Sequence, residues 1–208
     1  MIIAIDGPAA SGKGTLAKRV AEHFGLPVLD TGLLYRAVAR DLLARGFKLD
    51  DPWAGAALAK GLDPASLDDP QLRGAKAGEA ASVAARIPEL RAALLAYQRA
   101  FAAQAPGAVL DGRDIGTVIC PQAHVKIFVT ATPEVRAARR HAEIIARDEP
   151  VTYAEVLADI IARDARDYGR GTAPLKQAPD AHLLDTSDMD IEFVLQAAVG
   201  LIMRKISQ

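Results

Sequence analysis

The chain is poor in the residue types that mark disulfide-bonded, zinc-binding or membrane proteins. Its 208 residues include one cysteine, Cys120, so neither an internal disulfide bond nor a cysteine-rich zinc site can form. A reducing compartment is therefore expected. No apolar run is long enough to span a membrane, and the first residues, MIIAIDGP, lack the basic segment of a signal peptide. These absences predict a cytoplasmic protein that does not contact membranes.

The chain also lacks a surplus of charge of either sign. Its 25 Lys and Arg residues nearly balance 26 Asp and Glu residues, which gives a formal net charge of −1. A protein that binds nucleic-acid polymers would show a basic excess, so no such partner is expected. Hydrophobic residues make up 50% of the chain and charged residues 25%, which excludes a disordered protein. The length predicts a single domain, and since no exposed apolar helix stripe stands out, we expect a monomer.

Short apolar runs alternate with stretches of helical spacing along the chain. The runs predicted as strands are 2–6, 27–30, 108–111, 124–130 and 182–185. The predicted helices are 15–24, 33–45, 89–104, 133–148, 152–168 and 191–206. This alternation predicts an α/β protein whose parallel sheet is covered on both faces and binds ligands beyond the carboxyl ends of its strands. Residues 47–80 have Gly and Pro turns and few large apolar side chains, so they are predicted to form a small insert.

The strongest motif follows the first predicted strand directly. The segment GPAASGKGT matches the phosphate-binding loop, whose glycines let backbone N–H groups surround a phosphate. The helix that begins there adds the positive end of its dipole, and Lys13 is expected to reach the β- and γ-phosphates. We expect ATP to contact Gly7, Pro8, Ala9, Ala10, Ser11, Gly12, Lys13, Gly14 and Thr15.

Two residues are predicted to help hold Mg²⁺, directly or through water. The strict loop pattern has Ser or Thr immediately after the lysine, but here Gly14 takes that place and Thr15 follows. The GKGT version occurs in nucleoside monophosphate kinases, so the Thr15 hydroxyl is expected to contact phosphate or a Mg²⁺-bound water. Asp111 ends an apolar strand, AVLD, which matches the acidic residue that helps hold Mg²⁺ in phosphate-loop proteins.

A phosphate loop indicates a nucleoside triphosphate but not how it is used. The last predicted strand, HLLDTSD, lacks the Asn/Thr-Lys-x-Asp segment with which a GTPase reads guanine. Arginines that fit a second anion site are present, however, in LDTGLLYR, DGRDIGT, RAARR and RDARDYGRGTAPL. Phosphoryl transfer relies on such cations, because charge spreads over three oxygens in its transition state. These segments therefore favour a kinase with a small anionic acceptor.

Together, these segments resemble bacterial cytidylate kinase, and the resemblance covers nearly the whole chain. It implies a P-loop kinase fold in which helices flank a five-stranded parallel sheet. It also implies an activity in pyrimidine nucleotide metabolism: Mg²⁺-dependent transfer of the γ-phosphoryl group of ATP to CMP or dCMP. The implied architecture has a core (1–46, 81–132 and 171–208), a small acceptor-binding insert (47–80) and a helical lid (133–170). The insert lacks the alternating β-branched run of the long family version, so its hairpin is expected to be missing.

The resemblance also implies roles for individual residues. The acceptor-binding residues would be Thr31, Tyr35, Arg36, Ser82, Arg91, Arg113, Asp114, Arg163, Asp167 and Arg170. Within this set, Ser82, Arg91 and Asp114 would read cytosine, and Thr31, Arg36 and Arg113 would contact the acceptor phosphate. Asp167 and Arg170 would hold the sugar. The catalytic residues would be Lys13, Arg113, Arg163 and Arg170, while Arg136, Arg139 or Arg140 would close over ATP.

The chemistry of the base agrees with these implied roles, although two other functions stay open. Cytosine offers an amino donor beside ring acceptors, which an Asp and an Arg complement, whereas uracil would leave buried groups unpaired. Spacings of three and four predict that Arg163, Arg166, Asp167 and Arg170 share one helix face. One alternative is another small-acceptor kinase of the adenylate or shikimate type. The other is a non-catalytic nucleotide sensor or switch ATPase.

Overall fold

A five-stranded parallel sheet lies at the centre of the computed structural model, which describes residues 1–207. The strands are β1 (Ile2–Asp6), β2 (Val28–Asp30), β3 (Ala108–Gly112), β4 (Val125–Thr130) and β5 (His182–Asp185). Their order in the sheet is β2-β3-β1-β4-β5, and every neighbouring pair is parallel. The inner strands are covered on both faces, which explains their continuous apolar sequences and confirms the predicted fold class.

Helices cover both faces of the sheet. They are α1 (Lys13–Phe24), α2 (Thr31–Ala44), α3 (Pro52–Lys60), α4 (Ala75–Ala84), α5 (Pro88–Ala103), α6 (Pro133–Ile145), α7 (Tyr153–Tyr168) and α8 (Ile191–Ile206). One core cluster packs α2, α4 and α5 against the sheet, and a second cluster packs α1 and α8 against its other face. A third, small cluster joins α6 to α7 and includes Ala9 of the phosphate loop. The α6–α7 pair therefore packs as a hairpin of its own beside that loop.

The helix bounds differ from the predicted ones at functionally important places. Helix α1 begins at Lys13, two residues earlier than predicted, because Gly12 caps it in a left-handed conformation (φ 86°). Helix α7 ends at Tyr168, where its end was predicted, so Arg170 lies beyond the helix and the prediction that it shares a helix face with Arg163 and Asp167 was wrong. Helix α6 ends at Ile145 rather than at residue 148.

Residues 47–80 form helices and no strands. Helix α3 is followed by two short 3-10 helices, Pro64–Asp68 and Pro70–Arg73, and then by the first half of α4. Helix α3 and both 3-10 helices begin with an Asp-Pro pair, and the aspartates Asp51, Asp63 and Asp69 cap them through backbone N–H groups. Residue 80 lies inside α4, so Ser82 shares a helix with the end of the predicted insert. None of the helices in residues 1–207 is long and apolar enough to cross a membrane.

Candidate functional site

The phosphate loop is a tight turn between β1 and α1. Ala10 and Gly12 take left-handed backbone conformations, with φ of 58° and 86°. A side chain at Gly7 would collide with the carbonyl oxygen of Val129, so only glycine fits there. No described side chain caps the N-terminus of α1, which leaves its first backbone N–H groups available to an anion. The loop therefore has the geometry of a phosphate cradle, as the sequence predicts.

Lys13 and Asp111 form an ion pair beside this cradle. The Lys13 Nζ lies 3.7 Å from Asp111 Oδ1, and both side chains are largely buried. Burial lowers the pKa of Lys13 to about 8, with Arg113 adding to the effect, and it raises the pKa of Asp111 to about 6. A Cβ at Gly14 would lie 3.1 Å from Asp111 Oδ2, a close contact, so glycine fits beside this carboxylate without displacing it.

A cavity opens from this pair along the carboxyl edge of the sheet. Its polar walls hold all ten residues predicted to bind the acceptor. They come from α2 (Thr31, Tyr35, Arg36), α4 (Ser82), α5 (Arg91), the segment after β3 (Arg113, Asp114), α7 (Arg163, Asp167) and the turn beyond α7 (Arg170). This is the edge at which parallel α/β sheets bind ligands. We call this space the acceptor cavity.

A second cavity adjoins the first along the phosphate loop, and we call it the donor cavity. It reaches from residues 9, 10 and 12–15 of the loop to Arg140 on α6 and Arg147 just beyond α6. Six residues line both cavities: Lys13, Gly14, Asp30, Arg36, Arg113 and Arg163. Four of these six carry positive charge, so the junction of the two cavities has a surplus of positive charge. Two anions, one bound in each cavity, would lie next to each other there.

The far end of the acceptor cavity holds a buried ion pair. Arg91 Nη2 donates to Asp114 Oδ2 at 2.5 Å, and Arg91 Nη1 donates to the carbonyl oxygen of Ala85 at 3.2 Å. The Arg91 guanidinium also lies over the ring of Tyr35, at 5.5 Å from its centroid. Ser82 Oγ lies in the same wall and accepts from Arg166 Nε at 3.3 Å. A donor and an acceptor fixed side by side in this way fit a ligand with the complementary pattern.

Arg113, Arg163 and Asp167 form a charged cluster in the middle of the acceptor cavity. Arg113 Nε donates to Asp167 Oδ2 at 2.9 Å, and Arg163 Nε lies 3.9 Å from the same oxygen. Burial would raise the pKa of Asp167, but Arg113 and Arg163 outweigh it and hold that pKa below its usual range. Burial and the neighbouring Arg113 lower the pKa of Arg163 to about 9. Positive charge at this point therefore exceeds what Asp167 neutralises.

Several buried donors around the cavity have no hydrogen-bond partner within the described chain. They are Nε of Arg163, and Nε and Nη2 of Arg170. Buried guanidinium nitrogens are costly to leave unpaired, so these atoms are suited to an anionic ligand. Thr31 and Arg36, by contrast, already donate hydrogen bonds within the chain. Thr31 Oγ1 donates to the Asp111 carbonyl oxygen at 2.8 Å, and Arg36 Nη1 donates to the Leu72 carbonyl oxygen at 2.6 Å.

The three arginines predicted to close over ATP lie in different environments. Arg140 lines the donor cavity and pairs with Glu143 at 2.9 Å. Arg139 donates to Oγ1 and to the carbonyl oxygen of Thr186, and it lines a third cavity on the other side of the phosphate loop. Arg136 is only 3% exposed and lines none of these three cavities. Its guanidinium instead pairs with Asp164, so the structure does not support ATP contact by Arg136.

Asp30 is a cavity residue whose role was not predicted from the sequence. It caps α2 by accepting from the backbone N–H of Gly32 at 2.9 Å, and it lines both the acceptor and donor cavities. One feature of the sequence could have indicated this role: Asp30 is the last residue of a strand, as Asp6 is. Lys18, Arg73 and Arg147 also line the donor cavity. They lie outside the recognised motifs, so nothing in the local sequence marked them.

The family model and the curated relatives indicate the same family. The family model for cytidylate kinase matches residues 3–204. A cytidylate kinase of Rhodopseudomonas palustris (strain BisA53) is 61% identical over 202 residues, which cover 97% of this chain and 96% of that protein. A cytidylate kinase of Xanthobacter autotrophicus (strain ATCC BAA-1158 / Py2) is also 61% identical, with 97% of each chain covered. Among solved structures, an uncharacterized protein of Eubacterium ventriosum matches with a TM-score of 0.59, 17% identity and 98% coverage of both chains, which shows a shared fold.

Proposed function

The chain belongs to the cytidylate kinase family and is a kinase, and we propose that it transfers the γ-phosphoryl group of ATP to CMP or dCMP. The products are ADP and CDP or dCDP. The observation that carries the proposal is the buried Arg91–Asp114 pair at one end of a cavity whose other end is the phosphate loop. That cavity joins a base-reading group to a phosphate-binding group, which is what a nucleoside monophosphate requires.

The donor nucleotide binds across the phosphate loop. Backbone N–H groups at the start of α1 and the Lys13 ammonium contact the β- and γ-phosphates. The third cavity, lined by Thr15, Arg139, Met189, Ile191 and Val194 among others, adjoins the loop and offers apolar surface for the nucleoside. The γ-phosphate then points toward the junction with the acceptor cavity.

The Arg91–Asp114 pair recognises cytosine. Asp114 accepts a hydrogen bond from the exocyclic amino group, while Arg91 donates to the ring acceptors. Ser82 lies in the same wall and adds a hydroxyl group to this polar surface. Uracil has a carbonyl where the amino group stands and a donor at the neighbouring ring nitrogen. It would therefore place an acceptor against Asp114 and a donor against Arg91 in a buried place, which is costly.

Phosphoryl transfer takes place at the junction of the two cavities. An oxygen of the acceptor phosphate bonds to the γ-phosphorus of ATP as the bond from that phosphorus to the β–γ bridging oxygen breaks, and ADP leaves. The attacking oxygen is already anionic, so no protein base has to remove a proton. Lys13, Arg113 and Arg163 stabilise the charge that spreads over the equatorial oxygens, and Arg170 supports the acceptor.

The residues around Asp111 fit the Mg²⁺ ion that accompanies ATP. Oδ1 of Asp111 is buried without a hydrogen-bond partner in the described chain, and carboxylate oxygens are preferred Mg²⁺ ligands. Residues 1–207 hold no cluster of three or more His, Cys, Asp or Glu that forms a metal cage. That agrees with an ion held by ATP phosphates, water and one carboxylate. Asp111, and Thr15 through water, would hold the ion, which neutralises charge on the β- and γ-phosphates when bound.

The proposal extends to the architecture and setting of the enzyme. Residues 47–80 serve as a shortened acceptor-binding insert and residues 133–170 as a lid, while the remaining residues form the core. The close packing of α6 on α7 supports a lid that moves as one unit. Closure would exclude water and limit ATP hydrolysis. The enzyme would act as a cytoplasmic monomer on free nucleotides in pyrimidine nucleotide metabolism, without nucleic-acid or membrane partners.

An acceptor screen tests the proposed function. ADP release is measured with ATP and Mg²⁺ in the presence of CMP, dCMP, UMP, AMP or shikimate, and with no acceptor. We expect CMP and dCMP to be used, and UMP to have a kcat/KM at least about a hundredfold lower, because its buried polar groups are mismatched. Equal efficiency with UMP would contradict the assigned cytosine contacts. The best activity with AMP or shikimate would indicate another kinase, and ADP release that ignores all acceptors would indicate a switch ATPase.

A further inference from the structure

We propose that Asp6 is a positioning residue that holds Arg113 and Asp114 in place for the acceptor nucleotide. The inference rests on the proposed function, because it assumes that Asp114 reads cytosine. Asp6 does not line the acceptor or donor cavity. It therefore acts through the segment after β3 and not by touching a substrate.

Asp6 is the last residue of β1 and is 5% exposed. Its two carboxylate oxygens accept hydrogen bonds from two adjacent backbone groups. Oδ1 accepts from the N–H of Ile115 at 2.7 Å, and Oδ2 accepts from the N–H of Gly116 at 2.8 Å. Ile115 and Gly116 directly follow Arg113 and Asp114 in the chain. The Asp6 carboxylate thus holds the backbone next to Arg113 and Asp114, whose side chains line the acceptor cavity.

These two hydrogen bonds replace a cap that Asp114 does not supply. Asp114 is the residue before a π-helical turn, Ile115–Ile119, and its side chain makes no capping hydrogen bond to that turn. Aspartate at such a position commonly caps its own helix. Here Asp6 satisfies the first N–H groups from the neighbouring strand. The Asp114 carboxylate is left to pair with Arg91 at 2.5 Å and to face the cavity.

Tight packing makes the position of this turn sensitive to Asp6. A Cβ added at Gly116 would lie 3.1 Å from Lys126 Cδ and 3.3 Å from Asp6 Oδ2. Lys126 is itself held by Asp180, at 2.8 Å. Because Gly116 fits closely between Lys126 and Asp6, a displaced turn would shift the residues that precede it.

The chemistry at Asp6 needs two acceptors side by side. A carboxylate supplies one oxygen to each N–H, whereas an amide supplies one oxygen and one NH₂ group. In Asp6→Asn, one backbone N–H therefore loses its partner and faces another donor. The change keeps the size of the side chain, so its effect reports on the hydrogen bonds and not on a cavity.

The test compares Asp6→Asn with a control at the end of another strand, Asp185→Asn. Asp185 ends β5 and its Oδ1 accepts from the backbone N–H and the hydroxyl group of Ser187, at 2.9 and 2.6 Å, but it lines neither the acceptor nor the donor cavity. Steady-state kinetics are measured with CMP, UMP and ATP, and circular dichroism gives the folded fraction. For Asp6→Asn we expect the KM for CMP to rise about tenfold and the preference for CMP over UMP to shrink. The KM for ATP should stay within about twofold, and Asp185→Asn should match the wild type.

Gly116→Ala perturbs the same contact from its other side and replaces Asp6→Asn if that variant does not fold. It should show the same rise in the KM for CMP without a rise in that for ATP. A loss of kcat with both KM values unchanged would overturn the inference, because it would indicate only a smaller folded fraction. An equal rise of both KM values would overturn it as well, since Asp6 would then act on the phosphate loop. If the wild-type chain does not phosphorylate CMP, the proposed function itself fails, which is a separate result.

Discussion

At the scale of single residues, burial separates the arginines of the site from those of the surface. Arg19 makes two hydrogen bonds to Glu192, but that pair is exposed and contributes little. Arg113 is mostly buried, donates to Asp167 and lines both cavities. Both side chains carry the same charge and both are paired with an acid. Only Arg113 has its remaining donors directed at a space that a phosphate can enter.

Arg113→Ala should therefore remove most of the kinase activity while ATP still binds. We expect kcat with CMP to fall by about a hundredfold or more, because a preorganised cation near the transferred phosphoryl group is lost. Arg19→Ala serves as the control and should keep wild-type turnover. Turnover is measured by coupled ADP release, and ATP binding by calorimetry without CMP. Wild-type turnover in Arg113→Ala would show that the acceptor site is assigned wrongly.

At the scale of elements, Arg136 connects the α6–α7 hairpin to the phosphate loop. Its Nη1 and Nη2 donate to the two carboxylate oxygens of Asp164 on α7, at 3.0 and 2.5 Å. Nη1 also donates to the Ala9 carbonyl oxygen at 3.2 Å. The next residue, Ala10, has a left-handed backbone that is unusual for alanine. Arg136 thus holds a strained part of the phosphate loop while its own place depends on Asp164.

Asp164→Asn should loosen this connection and weaken ATP binding. One bond to Arg136 is lost, and the buried guanidinium keeps a charge that is no longer neutralised. We expect the Tm to fall by roughly 5–10 °C and the KM for ATP to rise several-fold, with a smaller effect on the KM for CMP. The control is Asp159→Asn, an exposed aspartate on the same helix. If Asp164→Asn and Asp159→Asn have the same KM for ATP, Arg136 does not act on the loop.

The elements also show which features a sequence alone can predict. The strands and the phosphate loop depend on local signals, namely apolar runs and glycines at fixed spacing, and the structure has them where they were predicted. The burial of Arg136 depends on contacts with distant segments. The role of Asp6 is decided by a partner more than one hundred residues away. Periodicity and spacing carry no information about such contacts, so these features could not be predicted.

At the scale of the whole molecule, a net charge of −1 conceals a concentrated positive site. Lys13, Arg36, Arg113 and Arg163 converge where the two cavities meet. Burial and the proximity of other arginines lower the pKa of Arg36, as they do that of Arg163. The unliganded fold therefore holds like charges together that bound phosphates would neutralise. Repulsion between these charges lowers the free energy of unfolding of the unliganded protein, although the function requires them.

Arg163→Met should make the unliganded protein more stable and less active. The side chain of Arg163 is 21% exposed, its Nε has no hydrogen-bond partner in the described chain, and Asp167 already accepts a hydrogen bond from Arg113. Methionine keeps much of the apolar stem and removes the repelling charge, so we expect a gain of about 1–2 kcal/mol in the free energy of unfolding. For a chain of this length, the Tm should rise by roughly 2–8 °C.

The measurement is thermal unfolding of wild type and Arg163→Met, each without ligand and with ATP plus CMP, alongside turnover. Added nucleotides should stabilise the wild type more than the variant, since bound phosphates then neutralise a larger positive charge. Turnover of the variant should fall by about a hundredfold. Arg166→Met, one turn along α7, is the control: its guanidinium pairs with Glu79 at 2.5 Å, so its removal should not raise the Tm. A lower Tm for unliganded Arg163→Met would show that the cluster does not strain the fold.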